Sequence, residues 1–337
     1  METTATSPLS QTLPAAAQVA PDGAADPRPP VPVALWRCAG YDAAQVRESV
    51  ARVLDTSGLA VGRGMRVLVK PNLLMPKPLA CTSPQVVAAA CAWLLERGAR
   101  VEVADSPGFG RAAAVARAIG LTESLRPLGL AVAAPDRAAR VMLTLPDGSR
   151  TRFMVSRRAL ECDLVLSAAR VKAHSQMELT LTVKNCFGCV QGLRKALVHA
   201  QEGRDPALFA DCLAALWAAL PPVGALADGI TAMHVTGPSR GQPFALGLVG
   251  ASTSAPALDS ALRELLGAPE TPLEAALARR AAAGDAAARP KAAYPLLAPG
   301  ECRVEGFVVP ARLKHTSFRP GRFVQSLCRR VWAAVRG

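Results

Sequence analysis

RVLVKPNLLMPKPLACTSPQVVAAACAWLLERGARVEVADSPG, residues 66–108, says more about the architecture than any other segment. Its run from Arg66 to Lys70 has strand length, and Pro71, Pro76 and Pro78 make a loop of the residues after it, because proline offers no N–H to a ladder. Thr82 or Ser83 stands where a helix N-cap is required, Pro84 suits the first turn, and the pattern predicts a helix to about Arg97, ended by Gly98. A second strand is predicted over Arg100 to Ala104. Strand, helix and strand with a crossover of this length predict a parallel pair, hence an α/β protein with a mostly parallel sheet and flanking helices. Ligands of such sheets sit beyond the carboxyl ends of the strands, which singles out Lys70, Asn72 and Asp105.

On the amino-terminal side, residues 1–30 are rich in Ala, Pro, Ser and Thr and read as a disordered leader, so the α/β domain is expected over 33–310. On the other side, the DSPGFG loop, Asp105 to Gly110, precedes a helical run from Arg111 to Ile119. Ser106 and Gly108 there can bring backbone close to a phosphate, although the loop is neither a Walker motif nor a GxGxxG. Val141–Leu145 and Thr151–Val155 flank PDGSR and predict a β-hairpin. Further strands are expected at Asp163–Ser167, Ala225–Ala227, Ala245–Gly250 and Arg303–Val309, with helices from Pro206 to about Leu220 and over Ala257–Leu266. The glycines and prolines of DGITAMHVTGPSRGQPF, residues 228–244, predict a loop.

Chemistry concentrates in VKAHSQMELTLTVKNCFGCVQGLRKALVHA, residues 171–200, which sets Lys172, His174, Lys184, Asn185, Lys195 and His199 against one acid, Glu178. Lysines in apolar runs suit the neutralisation of phosphate or carboxylate groups. His174 can move a proton near neutral pH, or ligate a metal when neutral. Convergence of Asp105, Asp228 and Asp259 on the histidines would complete a site for a divalent metal. We therefore assign Lys70, Asn72, Asp105, Ser106, Gly108, Lys172 and Asn185 to ligand or cofactor binding, and His174, Lys184 and Asp228 to catalysis.

The totals narrow the classes. A net charge of +13 in 337 residues invites a nucleic-acid reading, but aromatics that would stack on bases are scarce and no recognised DNA- or RNA-binding signature is present. Seven of those charges, from Arg312 to Arg336, lie in residues 311–337, a basic tail without an acid, where Phe323, Leu327, Val331 and Val335 recur at helical spacing. Such a tail suits an anionic membrane surface, an acidic partner, or packing on its own domain. The nine cysteines are not a disulfide framework, and neither a secretory signal nor a long apolar span is found, so the cytoplasm is the expected compartment.

The chain resembles the family known as domain of unknown function 362, whose members often carry an iron–sulfur ferredoxin module. The likeness rests on VLVKPNLL (67–74), TSPQVV (82–87), VADSPG (103–108), VKAH (171–174), VKNCFG (183–188), KALVH (195–199) and DGITAM with its following GP and G (228–241), in order over roughly residues 60–270. The resemblance implies an α/β fold and a redox-linked or metal-linked role. No Cys-x-x-Cys-x-x-Cys run is present, and Cys186 and Cys189 supply two thiolates where a cluster needs four, so an intrinsic iron–sulfur cluster is not expected. Those two cysteines read as small core residues or as a dithiol. The expectation is an enzyme binding an anionic small molecule or cofactor, with electrons, where transferred, supplied by a separate iron–sulfur protein. The alternative is a non-catalytic assembly protein recruiting an acidic partner or membrane through its tail.

Overall fold

The computed structural model describes residues 28–108, 110–191 and 205–310. The leader up to residue 27, the tail from residue 311, and Lys195 and His199 lie outside them. The described part opens with strand β1 (Val31–Arg37) and a helix over Ala43–Thr56, then β2 (Arg66–Pro71), the helix Pro84–Glu96 and β3 (Arg100–Val103). The strand–helix–strand expectation for 66–108 therefore holds to within a residue or two. Ser83 is the cap of the second helix, accepting from the Val86 N–H with Pro84 at the first turn.

After two short helices at Ala112–Ala118 and Leu121–Leu125 comes the hairpin, β4 (Ala138–Thr144) and β5 (Arg150–Ser156), a separate antiparallel pair. β6 (Leu164–His174) and β7 (Glu178–Thr180) lead into a single helical turn, Thr182–Asn185. The helix Pro206–Ala219 precedes β8 (Val223–His234), β9 (Gln242–Phe244) and β10 (Leu248–Ser252). Helices Ala255–Leu265 and Pro272–Ala282 follow, then β11 (Ala292–Ala293).

Nine strands form one sheet along the path β11-β1-β10-β8-β6-β2-β3, with β7 paired to β6 and β9 to β8. β8, β6, β2 and β3 pair in parallel; β10 is antiparallel to both β8 and β1, so β1 and its parallel partner β11 run with the majority. Along that path only β10 is reversed.

Two hydrophobic cores lie on the sheet's two faces. Helices Ala43–Thr56 and Pro84–Glu96 supply one, through Val50, Leu54, Val87 and Leu94. Helices Pro206–Ala219 and Ala255–Leu265 supply the other, through Phe209, Leu213, Leu258 and Leu262, together with Phe153 of the hairpin.

Two expectations are corrected. Only residues 235–241 of the 228–244 segment form a loop: β8 continues through Asp228 to His234 and returns as β9, with Ala232 opposite Phe244 and His234 opposite Gln242. Gly237 marks the turn because a Cβ there would overlap the Ala173 carbonyl, so the glycine is required by the close pass over β6 rather than by a flexible loop. Residues 303–309 are irregular rather than a strand, tied down by single bonds such as Val235 N–H to the Val308 carbonyl at 2.7 Å.

Candidate anion-binding site

β6 is buried along all eleven residues, yet it carries Arg170, Lys172 and His174 at alternate positions. Period-two geometry puts the three on one face, and both cations reach the segment between β2 and the helix Pro84–Glu96. Arg170 Nε donates to the Cys81 carbonyl and Lys172 Nζ to the Ala80 carbonyl, each at 2.8 Å. Polar atoms so placed need partners. The neighbouring strand ends provide them.

Lys70, at the end of β2, is 1% exposed and has three partners. Its ammonium donates to the Pro71 carbonyl at 2.7 Å and to Asn185 Oδ1 at 2.8 Å, and it lies 2.8 Å from Asp105 Oδ1, a charge contact outside hydrogen-bond angles. Asp105 Oδ2 accepts from the Leu73 N–H at 2.7 Å. Asn185 returns its amide N–H groups to the Lys70 carbonyl and Ser167 Oγ. Gly188 closes over the pair: its carbonyl accepts from the Ser106 N–H, and a Cβ on it would collide with Asp105 Oδ1 and the end of Lys70. The glycine of VKNCFG is thus fixed by contact with an ion pair.

Arg170 forms the second buried pair. Its Nη2 lies 3.4 Å from Asp228 Oδ2, Nη1 donates to Tyr41 Oη and the Thr231 carbonyl, and Asp228 Oδ2 also accepts from the Ser83 N–H at 2.7 Å. Asp228, wholly buried, therefore joins β8 to the helix cap at Ser83. Asp259 is spent in a similar way, accepting from the N–H groups of Thr182 and Val183 and from Thr182 Oγ1, which pins the turn bearing Lys184 and Asn185. Burial pushes its carboxyl up to about 7 in spite of those donors.

Lys172 is the exception. It is as buried as Lys70, but its partners are neutral: Asn72 Oδ1 at 2.5 Å and the Ala80 carbonyl at 2.8 Å. No described carboxylate lies within ion-pair distance of it. Burial first, then the half-buried Lys184 ammonium, push its amine down to about 7. An ammonium has three donors and two are used here, while Nδ2 of the half-buried Asn72 has no described partner. His174 is buried beside them in sequence, its Nδ1 accepting from the Gln176 N–H at 3.1 Å, which leaves Nε2 as the protonated nitrogen of the neutral ring.

The structure brings Lys70, Asn72, Asp105, Ser106, Lys172, Lys184 and Asn185 to the carboxyl ends of β2, β3 and β6. Gly108 packs against Leu74. Asp228 is held by Arg170, not by the lysines. Among the described residues no three His, Cys, Asp or Glu side chains gather as a metal would require, and the three aspartates face different partners. Cys186 and Cys189 are buried in the core, and burial pushes the Cys186 thiol up to about 12. Sequence reasoning missed Arg170 and Tyr41, which complete the Asp228 network. An arginine inside an otherwise apolar strand was the available signal for the first; nothing local marked the second.

A small cleft of about 20 Å³ lies at the Lys70–Asp105 pair, beside Ser106, Asp136, Arg158 and Gln191. No helix among the described residues is long and apolar enough to cross a membrane.

The chain is 33% identical over 301 residues to thylakoid-associated protein sll1697 of Synechocystis, an alignment covering 87% of this chain and 92% of that protein. It is also similar to the lactate racemase apoprotein of Thermoanaerobacterium thermosaccharolyticum, at 13% identity and a TM-score of 0.44, over 68% of this chain and only 55% of that one. A family model, domain of unknown function DUF362, matches residues 67–264, which span β2, β6, β8 and the buried lysines, Arg170 and aspartates of the site. The chain belongs to the DUF362 family.

Proposed function

We propose that this protein is an α/β enzyme that binds an anionic small molecule where Lys172 and Lys184 meet at the carboxyl ends of the central strands. One observation carries the reading. Three cations, Lys70, Arg170 and Lys172, are buried side by side against two carboxylates, Asp105 and Asp228, so one buried positive charge has no fixed counter-ion among the described residues. Burying such a charge costs several kcal/mol unless something compensates it. A bound anion does so, with Asn72 Nδ2 and the third Lys172 N–H as donors, Lys184 as the outer cation and His174 Nε2–H as a hydrogen-bond donor. Lys70, Asp105 and Asn185 hold the strand ends in place, and Asp228 positions Arg170.

Thermal shift against inorganic phosphate, phosphorylated metabolites and small carboxylates tests this, because a ligand that binds only the native state raises its stability. Stabilisation present in the wild type and lost in Lys172→Met and Lys184→Ala is the expected result. An equal response in both variants would remove the site.

A second reading is favoured by one comparison: the relative described as thylakoid-associated is alignable over nearly all of this chain. We infer that the basic 311–337 segment brings the protein to an anionic membrane surface or acidic partner, alongside ligand binding. Cosedimentation with anionic vesicles that is lost on removing residues 311–337 supports it; unchanged sedimentation overturns it.

A further inference from the structure

The anion site also points to a reaction class. Resting on the anion-binding reading, we propose that Lys172 is a catalytic amine nucleophile that forms an imine with a small carbonyl compound bearing a carboxylate or phosphate. The geometry supplies the surroundings such an amine needs. A reactive lysine must spend time as the free amine, which a carboxylate partner would prevent. Lys70, in contact with Asp105, illustrates the paired alternative. Lys172 instead has two neutral oxygen acceptors, no described acid, and a second ammonium, Lys184, among its neighbours. A desolvated lysine beside another cation is a recognised way to activate an amine. Its lowered proton affinity agrees with this arrangement.

The cluster also sets the substrate's shape. Lys184 is half-buried and acts on Lys172 as a neighbouring cation, while the amide nitrogen of Asn72 lies beside the Lys172 amine and can donate to a carbonyl oxygen. The neutral amine attacks the carbonyl carbon. A nitrogen–carbon bond forms as the π pair moves to oxygen, and a proton passes from nitrogen to that oxygen to give the carbinolamine. The hydroxyl then leaves with the remaining N–H proton as water, which gives the imine. The sum is amine plus carbonyl to imine plus water, with no oxidant or reductant consumed.

Glyoxylate with sodium cyanoborohydride, applied to the full-length protein at pH 7, is the test, since reduction fixes the imine as a carboxymethyl group that peptide mapping locates. The expected result is modification of Lys172 at least about tenfold faster than the exposed Lys77 and Lys291, slowed in Lys184→Ala and absent from Lys172→Met. Lys172 modified no faster than those exposed lysines overturns the proposal. The two readings fail separately. Phosphate-induced stabilisation without preferred Lys172 labelling leaves the anion site and removes the imine, whereas absence of both removes the site itself.

Discussion

A buried lysine is defined by what faces it, and Lys70 and Lys172 make opposite predictions. Lys70→Met strands the Asp105 carboxylate under Gly188, and loss of about 3–5 kcal/mol is expected in denaturant unfolding. Lys172→Met removes a charge that has no counter-ion, so stability at pH 6 should be unchanged or raised by up to about 2 kcal/mol while ligand response disappears. The pH dependence differs too. Because the Lys172 amine falls from 10.5 to about 7 on folding, the unfolded chain binds more protons between those values. Stability should therefore rise with pH from about 7 to 10.5, by at most about 1.4 kcal/mol per unit, and the difference from Lys172→Met should shrink over that window. Asp259 has the opposite effect at lower pH. Its carboxyl rises from 3.8 to about 7, so its stabilising share is full below 3.8 and is lost as pH climbs towards 7. Asp259→Asn should flatten that limb in urea titrations at about pH 4 to 7; an unaltered slope would contradict the assignment.

Among the elements, the helix Pro84–Glu96 is legible in sequence because its signals are local: Ser83 caps, Pro84 starts, and apolar residues follow. The continuation of β8 past Asp228 and its return as β9 are not, because glycine and proline usually break strands, whereas Gly229 and Gly237 are demanded by close passes to Leu248 and Ala173. The turn Thr182–Asn185 depends on a distant carboxylate, Asp259, which no local pattern announces. Gly188→Ala tests a tight contact between elements. Its Cβ would force the 186–189 segment off the Lys70–Asp105 pair, and a loss of about 1–3 kcal/mol is expected from calorimetric melting. A neutral result would mean the segment shifts without consequence.

Across the molecule, two cores share one sheet, so neither face can unfold and leave the other a complete backing. Trp93 lies in one core and Trp217 packs against the other. Single-tryptophan variants retaining either residue should report the same urea midpoint; midpoints differing beyond experimental error would show that the faces unfold separately. The α/β class, the parallel β2–β3 unit, the hairpin and the family resemblance can all be read from the chain alone, because periodicity, caps and turn residues act between neighbours in sequence. Which buried charges are paired cannot, since it depends on contacts that only folding creates. Lys70 and Lys172 are alike as letters in apolar runs. The difference between a neutralised ion and an uncompensated amine comes from residues as far as 115 positions away, Asp105 and Asn185 for one, Asn72 for the other.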